Sequence, residues 1–376
     1  MAIYLDVSAA VHRRAGLGRY AESLTRALVA RSPARYALFY NRERGIEPLE
    51  GLETLPTQTV ALGYKPWRMV VWLGQLGRVG LDGQLPGLEL FHATEHLLPP
   101  FRQTPTVLTV HDLIFRHLPA HHKRLNRWYL NATMPLYCRR ASHIIAISQQ
   151  TRRDLIGAYG VDPEKVSVIY EAADPRFRPQ PAEAVERVRA RYGLPERYLL
   201  FVGTIEPRKN LGRLLNAFEA AQAEGLSDGL VIVGRKGWLY EDFFARLERS
   251  PAREAVHFPG YVPDEALPPL YAGAQALVFP SFFEGFGLPV LEAMACGTPV
   301  ATSDSSCLPE IGGEAAIYFD PHETEGVTEA VLRLLGDPEL GEALRERGLA
   351  QAGAFSWART AVETERVYDD VLGRSA

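Results

Sequence analysis

Two glutamates, Glu284 and Glu292, stand eight residues apart on either side of a glycine-containing turn that leads into a predicted helix. Pro289 suits the first position of that helix, and the apolar residues after it continue the helical pattern. The backbone amides around Gly287 and Leu288 would point outward from the helix start, where the helix dipole favours an anion. Because carboxylates accept hydrogen bonds from hydroxyl groups, the segment predicts a site for a sugar diphosphate.

Glu292 also has a purely structural interpretation. An acidic residue in the first turns of a helix is favoured by the helix dipole alone, whatever the protein does. Under that interpretation only Glu284, on the loop, would contact a ligand.

Arg208 and Lys209 are adjacent cations between the predicted strand Tyr198–Val202 and the predicted helix Leu211–Ala223. A diphosphate that leaves a sugar gains negative charge as its bond breaks, and two cations would stabilise that charge. An isolated Arg-Lys dipeptide is more often a solvated surface pair. The position of this pair, in the polar run that starts at Gly203 directly after a strand, favours the phosphate site.

His111 follows the apolar strand Thr106–Val110 and directly precedes Asp112. This placement would orient an imidazole toward a ligand with a carboxylate close by, as proton transfer or hydrogen bonding requires. A structural role is the alternative, because histidines at strand ends often only satisfy local hydrogen bonds.

Gly16 lies in a glycine-containing segment, Arg14–Tyr20, that is predicted to form a loop between the first strand and the first helix. The segment lacks the third glycine of the dinucleotide-binding fingerprint, and no acidic residue stands at the required distance. We therefore expect either a loop whose backbone meets phosphate or acceptor, or an ordinary tight turn.

The sequence offers no convincing metal site or disulfide. The cluster from His92 to His96 is not the HExxH motif, because its glutamate directly precedes the second histidine, and it is predicted to lie in a loop. Three cysteines, Cys138, Cys296 and Cys307, form no CxxC pair and leave an odd thiol, which suits a reducing compartment.

Length and composition predict a globular protein of two ordinary domains, with 376 residues and 47% hydrophobic content. A net charge of −4 argues against nucleic acid as a partner. The first residues carry an acid and lack a long apolar core, so they predict a strand rather than a signal peptide. No apolar run reaches the length of a membrane-spanning helix, and the expected location is the cytoplasm.

Short β-rich runs alternate with helical patterns in both halves of the chain, which predicts an α/β protein with parallel sheets. Polar residues follow several of the strands, and ligands of open parallel sheets bind at those strand ends. The proline-rich stretch Asp174–Pro181 has the composition of an interdomain linker. The expected ligand site is a cleft between two facing α/β domains.

Two segments of the first half, Tyr64–Arg78 and His121–Arg140, combine basic residues with tryptophan and aliphatic side chains. Basic amphipathic helices of this kind can lie on anionic membranes, which would place the protein peripherally on the inner face of the membrane. The alternative is ordinary packing of one apolar face onto a sheet.

Together these residues resemble the retaining glycosyltransferases of family 4, which have the GT-B fold of two facing Rossmann-like domains. The resemblance spans nearly the whole chain and is strongest from Tyr198 to Asp320. The most specific segments are Gly203–Asn210, Phe258–Val262, Pro280–Met294 and Leu308–Gly312. By this resemblance the domains are 1–175, 176–357 and a C-terminal helix, 358–376, that packs back on the first domain.

The resemblance also implies roles for individual residues. Glu284 would face the hydroxyls of the donor sugar and Glu292 the ribose, while Arg208 and Lys209 would hold the diphosphate. His111 would lie by the transferred sugar. The remaining donor contacts would come from Gly16, Gly203, the backbone near Tyr261 and Val262, and the amides of Phe286, Gly287 and Leu288. One departure is Ala15, where many members have a second glycine beside the one at Gly16.

The implied activity is transfer of a hexose from a nucleotide diphosphate sugar to a hydroxyl acceptor, with retention and without a metal or other cofactor. GDP-mannose is the first expected donor and UDP-glucose the second, and the acceptor would be a glycan or lipid-linked glycan in surface polysaccharide synthesis. An inactive nucleotide-sugar-binding subunit of an assembly complex is the alternative. A GT-B epimerase or phosphorylase is a lesser one.

Overall fold

A computed structural model of the protein describes residues 2–43, 46, 48–260 and 262–374. The chain forms two compact units. The first contains the residues up to Arg116, then Lys123–Glu171, and everything from Ser356 onward; the second contains His117–His122 and Ala172–Phe355. The chain thus passes from the first unit to the second after residue 171 and returns to the first after residue 355; the predicted divisions were after 175 and 357.

The predicted linker, Asp174–Pro181, belongs to the second unit. Its Phe177 is buried in the core of that unit, with its ring centroid 5.7 Å from that of Tyr271. The stretch is therefore packed structure, because burial of one aromatic ring anchors a segment that is otherwise polar and proline-rich.

The first unit is built on a seven-stranded parallel sheet with the order β3-β2-β1-β4-β5-β6-β7. Its central strands are nearly continuous apolar runs, as expected when helices cover both faces of a parallel sheet. The strands are β1 Ala2–Asp6, β2 Tyr36–Asn41, β3 Thr57–Val60, β4 Leu88–Ala93, β5 Thr106–Val110, β6 His143–Ala146 and β7 Val166–Val168. The helices are α1 Ser8–Val11, α2 Ala15–Arg31, α3 Tyr64–Gly77, α4 Ile114–His117, α5 Arg124–Arg140 and α6 Gln149–Tyr159.

The second unit has a six-stranded parallel sheet with the order β10-β9-β8-β11-β12-β13. The strands are β8 Tyr198–Val202, β9 Gly229–Val233, β10 Val256–His257, β11 Ala276–Phe279, β12 Val300–Ser303 and β13 Ile317–Phe319. The helices are α7 Ala182–Tyr192, α8 Leu211–Ala223, α9 Glu241–Leu247, α10 Leu267–Ala272, α11 Leu288–Ala295, α12 Leu308–Gly312, α13 Thr324–Gly336 and α14 Pro338–Gly353.

The last helix, α15 (Trp357–Val371), packs within the first unit. Its Glu365 carboxylate accepts hydrogen bonds from Tyr36 Oη at 2.8 Å and from Arg31 Nε at 2.7 Å. The buried hydroxyl of Tyr368 lies 2.6 Å from His92 Nδ1 in β4. The helix therefore completes the hydrogen bonding of buried groups in the first sheet.

Each sheet reverses its strand order beside its first strand, between β1 and β4 in the first unit and between β8 and β11 in the second. Open parallel sheets bind ligands outside the carboxyl ends of the strands at such switch points. In the second unit, the loops that leave β8 and β11 contain Arg208, Lys209 and Glu284. The fold thus brings together side chains that are about 75 residues apart in the sequence.

Candidate active site

Helix α11 begins at Leu288, one residue before the predicted first position at Pro289, and no side chain caps its N-terminus. Gly287 precedes it with a left-handed φ of 97°, and a Cβ atom there would stand 2.7 Å from Leu308 Cδ2. Both the backbone conformation and the lack of space require glycine. Pro289 has no N–H and the Val290 amide donates to the Gly287 carbonyl oxygen at 2.9 Å, so the amides of Gly287 and Leu288 are the ones that would favour an anion at this helix start.

Glu284 lies against both predicted cations. Its Oε1 atom is 2.7 Å from Arg208 Nη1 and 2.6 Å from Lys209 Nζ. The two loops are also joined through their backbones, because the Phe282 amide donates a hydrogen bond to the Arg208 carbonyl at 2.9 Å. The structure therefore unites three of the four predicted catalytic residues in direct contact.

A fourth charged residue, Glu206, completes the cluster, although the sequence analysis assigned it no role. Arg208 Nη2 donates to Glu206 Oε1 at 2.6 Å, and the other carboxylate oxygen of Glu206 is buried with no hydrogen-bond partner among the described residues. Two cations thus face two carboxylates, so the charges of the cluster balance before any substrate is considered. An acid two residues before the Arg-Lys pair was the available signal.

The cations keep Glu284 ionised. Burial alone would raise the pKa of Glu284, but the charges of Arg208 and Lys209 outweigh it and lower that pKa to about 2. Burial and the adjacent Arg208 lower the pKa of Lys209 from its usual value, against the opposing effect of Glu284. Glu284 is therefore a hydrogen-bond acceptor throughout the physiological pH range.

Glu292, at the fifth position of α11, is 2% exposed. Its Oε2 atom accepts a hydrogen bond from the hydroxyl of Tyr271 in α10, at 2.7 Å. This bond orients the carboxylate from a neighbouring helix, since a buried carboxylate needs hydrogen-bond partners to remain charged. A contact of Glu292 with ribose stays a prediction.

Gly203 follows β8, and its amide donates to the Val233 carbonyl at 2.9 Å. A second glycine, Gly234, follows the neighbouring strand β9, and a Cβ atom on it would lie only 2.0 Å from the Gly203 carbonyl oxygen. The two strand ends can approach so closely only because Gly234 has no side chain. Sequence analysis missed Gly234, although its place one residue after a strand matches that of Gly203.

The predicted donor contacts of Tyr261, Val262 and the amides at 286–288 stay predictions. Tyr261 lies outside the described residues, while its neighbour Val262 is buried. Phe286 is also buried, with its ring centroid 6.0 Å from that of Phe355. Because the side chain of Phe286 is buried, a ligand could meet only its backbone, and that contact stays a prediction.

In the first unit, both ring nitrogens of His111 face acceptors. Nε2 is 2.9 Å from the Thr94 carbonyl oxygen, and Nδ1 is 3.3 Å from Glu171 Oε1. Burial lowers the pKa of His111, but the hydrogen bond and charge of Glu171 outweigh it, so the pKa lies above its usual value. The adjacent Asp112 instead accepts a hydrogen bond from the Ile114 amide, so the carboxylate in contact with the ring is Glu171.

We expect Glu171→Gln to lower the pKa of His111. With the carboxylate present, protonated His111 donates to two acceptors, and this contribution to stability is complete below about pH 6.5 and is lost as pH rises through the elevated pKa. NMR titration of the imidazole and the pH profile of turnover should both shift their inflection to lower pH. The exposed Glu164→Gln is the control, and an unchanged His111 titration in Glu171→Gln would contradict the assignment.

The glycine loop predicted at Arg14–Tyr20 is wrong in its form, because α2 begins at Ala15 and contains both Gly16 and Gly18. A Cβ atom on Gly16, the predicted close-approach position, would have no protein atom within 4 Å, whereas a Cβ on Gly18 would stand 2.9 Å from the Ala9 carbonyl oxygen. Close packing of α1 on α2 therefore requires Gly18. Gly16 leaves open space, and its contact with a ligand stays a prediction.

His92, predicted in a loop, is instead buried in β4, where its ring bonds Tyr368 Oη and Thr109 Oγ1 at 2.6 and 2.8 Å. Burial lowers the pKa of His92 to about 3 and that of His96 to about 4, so both are neutral. Within the described ranges, no group of three or more His, Cys, Asp or Glu side chains is placed to hold a metal ion. No helix in the same ranges is long and apolar enough to span a bilayer.

Two Rossmann-like units with parallel sheets define the GT-B class of glycosyltransferases. The solved structures with similar folds include sucrose-phosphate synthase from Thermosynechococcus elongatus, with a TM-score of 0.80 and 21% identity over the full length of both chains. HepE from Anabaena in complex with UDP-glucose has a TM-score of 0.76 and 19% identity, covering 98% of this chain and 100% of that one.

The chain belongs to glycosyltransferase family 4. Residues 14–177 match the family described as Glycosyltransferase Family 4, and residues 185–351 match Glycosyl transferases group 1. The O-antigen chain mannosyltransferase B of Escherichia coli is 34% identical over 282 residues, 74% of each chain. The MMP alpha-(1->4)-mannosyltransferase of Mycolicibacterium hassiacum is 30% identical over 72% of this chain and 67% of its own. A third relative, the serotype-specific mannosyltransferase WbdA of Escherichia coli, is matched over only 32% of its length.

Proposed function

We propose that the protein transfers a hexose from a nucleotide diphosphate sugar to a hydroxyl of a glycan or lipid-linked glycan, in the synthesis of a surface polysaccharide. The observation that carries the proposal is the contact of Glu284 with Arg208 and Lys209 beside the uncapped start of α11. This arrangement offers cations and amides to a diphosphate and a carboxylate to sugar hydroxyls.

The proposed reaction proceeds with retention. The bond between the anomeric carbon and the diphosphate oxygen breaks, and the acceptor oxygen bonds to the same face of the anomeric carbon. The acceptor proton passes to the departing phosphate oxygen, so the reaction needs neither a metal ion nor a separate protein base. Arg208 and Lys209 stabilise the charge that develops on the diphosphate, and this electrostatic stabilisation is the largest catalytic effect.

The diphosphate must share these cations with Glu206 and Glu284. An ion pair in a buried site is strong because water screens it little, and phosphate oxygens compete well for arginine and lysine. Glu284, when its cations turn toward the diphosphate, is left to accept hydrogen bonds from the sugar. The charge-balanced cluster thereby links binding of the diphosphate to binding of the sugar.

GDP-mannose is the favoured donor. The mannosyltransferases among the relatives support mannose, and the name of the O-antigen enzyme supports a polysaccharide product. UDP-glucose is the second candidate, because HepE binds it with a similar fold. Peripheral contact with the inner face of a membrane is a separate proposal.

We expect incubation with a panel of radiolabelled nucleotide sugars, GDP-mannose and UDP-glucose among them, to show slow hydrolysis of one donor even without acceptor. Water then replaces the acceptor hydroxyl in the same reaction. Thin-layer chromatography of the released sugar measures the rate, and the anomeric form of the first product tests retention. Addition of EDTA should leave the rate unchanged. A protein that binds a donor but hydrolyses none would be the inactive subunit, contrary to the proposal.

A further inference from the structure

The outward face of α3 is apolar. Ten large apolar side chains are exposed in the described chain, and half of them lie in one short stretch. We call this stretch the outer strip, and it consists of Met69, Val70, Leu73, Leu76 and Val79. Leu73 and Leu76 are 59% and 57% exposed. Met69, Leu73 and Leu76 have the i, i+4, i+7 spacing that places them on one face of the helix.

The outer strip is not needed to fold the first unit. The opposite face of α3 already supplies the core contacts, through the buried side chains of Trp67, Val71 and Gln75. A helix that is apolar on both sides is expected inside a protein or against an apolar partner, and clustered apolar residues at a surface indicate an interaction site.

Helix α5 extends the same surface. Its Trp128 is 57% exposed, with a ring centroid 5.4 Å from that of Trp72 in α3, and Leu125 is exposed one turn earlier. Arg68 of α3 donates a hydrogen bond to Asn126 Oδ1 at 2.9 Å, which fixes the two helices together. Half-exposed tryptophan is typical of the boundary between water and lipid, because the ring is apolar and its N–H is polar.

A basic pocket lies at the end of the outer strip. It has a volume of about 390 Å³, and Val79 of the strip forms part of its wall. The other lining residues are Arg78, Pro100, Phe101, Arg102 and Arg140.

Two of the three guanidinium groups of this pocket are held by neutral partners. The side chain of Arg102 donates to the Arg78 carbonyl, and Arg140 Nη1 donates to Gln75 Oε1 at 3.0 Å. In the part of the chain that the structure describes, none of the three forms an ion pair with a carboxylate. The carboxylate of Asp82 accepts hydrogen bonds from the backbone amides of residues 102–104. The pocket therefore keeps a net positive charge that suits an anion.

We propose that the outer strip and the basic pocket dock the first unit on the surface of an anionic phospholipid bilayer. The pocket takes the phosphate of a lipid headgroup, while the aliphatic side chains of the strip enter the acyl boundary beside it. The two surfaces are complementary, because arginines and exposed aliphatic side chains lie side by side here as phosphates and acyl chains do in a bilayer. A second copy of the chain would need its own acidic groups opposite the pocket.

Vesicle co-sedimentation tests this proposal with the full chain. We expect the protein to bind vesicles of equal parts phosphatidylcholine and phosphatidylglycerol in low-salt buffer, and to be released by high salt. Vesicles of pure phosphatidylcholine should bind the protein only weakly. The double variant Leu73→Ser/Leu76→Ser should lower the partition coefficient at least about tenfold, because it removes apolar area that the bound protein would bury in the membrane. Arg78→Gln/Arg102→Gln should lower it about tenfold as well, through lost attraction to the headgroups.

The matched controls are Leu349→Ser and Arg253→Gln, which change exposed side chains of the second unit. Both should bind vesicles like the unchanged protein, and the melting temperature should show that every variant is folded. Lack of binding to the anionic vesicles, or equal binding by the double variants, would overturn the proposal. So would light scattering that shows a dimer dispersed by Leu73→Ser/Leu76→Ser. Donor hydrolysis is measured without vesicles, so these outcomes are independent of the proposed activity.

Discussion

Replacement of Arg208 by alanine is expected to lower turnover by about two to three orders of magnitude, the usual loss when one group that stabilises a developing charge is removed. Arg208 lies on the loop after β8 and holds Glu206 and Glu284 through two separate nitrogens. Steady-state kinetics with the donor found in the panel would measure the loss. Near-normal transfer by Arg208→Ala would refute the role assigned to this cluster.

The same substitution should also lower the melting temperature. The sequence alone predicts an unchanged value, since a side chain exposed in a cleft contributes little to stability. The structure predicts otherwise, because the arginine is mostly buried and its removal takes away the ion-pair partner of the buried Glu206, at a cost of about 3 to 5 kcal/mol.

Two further variants separate catalysis from folding. Arg208→Lys keeps the positive charge but cannot hold both carboxylates, so it should be folded and still slow. Arg253→Ala removes an exposed arginine that pairs with Glu248 and Glu254, and should change neither turnover nor melting temperature.

Glu284→Gln should destabilise the protein at neutral pH by about 3 kcal/mol, with the effect disappearing in acid. The folded-state pKa of Glu284, about 2, is below its ordinary 4.5, so ionisation of this residue stabilises the fold above about pH 4.5. That stabilisation is lost as pH falls toward 2. The glutamine cannot ionise, and it leaves the buried Lys209 without its partner at every pH.

Urea unfolding at pH 7 and at pH 3 would measure this difference in the free energy of unfolding. The gap between Glu284→Gln and the unchanged protein should narrow at the lower pH. Glu248→Gln, at an exposed ion pair with Arg253, should lower stability by less than about 1 kcal/mol. A gap that is the same at both pH values would mean that Glu284 is not held ionised by its neighbours. Turnover of the glutamine variant should fall as well, since a neutral amide accepts hydrogen bonds from sugar hydroxyls less strongly than a carboxylate does.

Buried strands and helix starts could be predicted from the sequence, because their signals are local. The bounds of β5 and β8 agree with the prediction, since each is a short apolar run closed by a polar or small residue. Five strands, β3, β4, β7, β10 and β13, were missed. Thr57–Val60 is half exposed at a sheet edge, and β7, β10 and β13 are only two or three residues long, so these four have no clear apolar pattern.

Contacts between distant residues could not be predicted in the same way. His111 pairs with Glu171, which is 60 residues away and follows β7, one of the strands that the sequence did not reveal. Asp112, the neighbour in sequence, was the wrong partner because adjacent residues after a strand point in different directions. Glu206 was not predicted, because a pair of cations that suits a phosphate gives no sign in the sequence of which carboxylates balance its charge.

The placement of α15 has a consequence for how the protein is made. Tyr368 and Glu365, near the end of the chain, bond His92, Arg31 and Tyr36 in the first unit. During synthesis those early partners leave the ribosome long before α15 exists, whereas the second unit is complete once residue 355 has emerged. The second unit can therefore fold first. The polar groups of the first unit that bond α15 lack their hydrogen-bond partners until that helix has been synthesised.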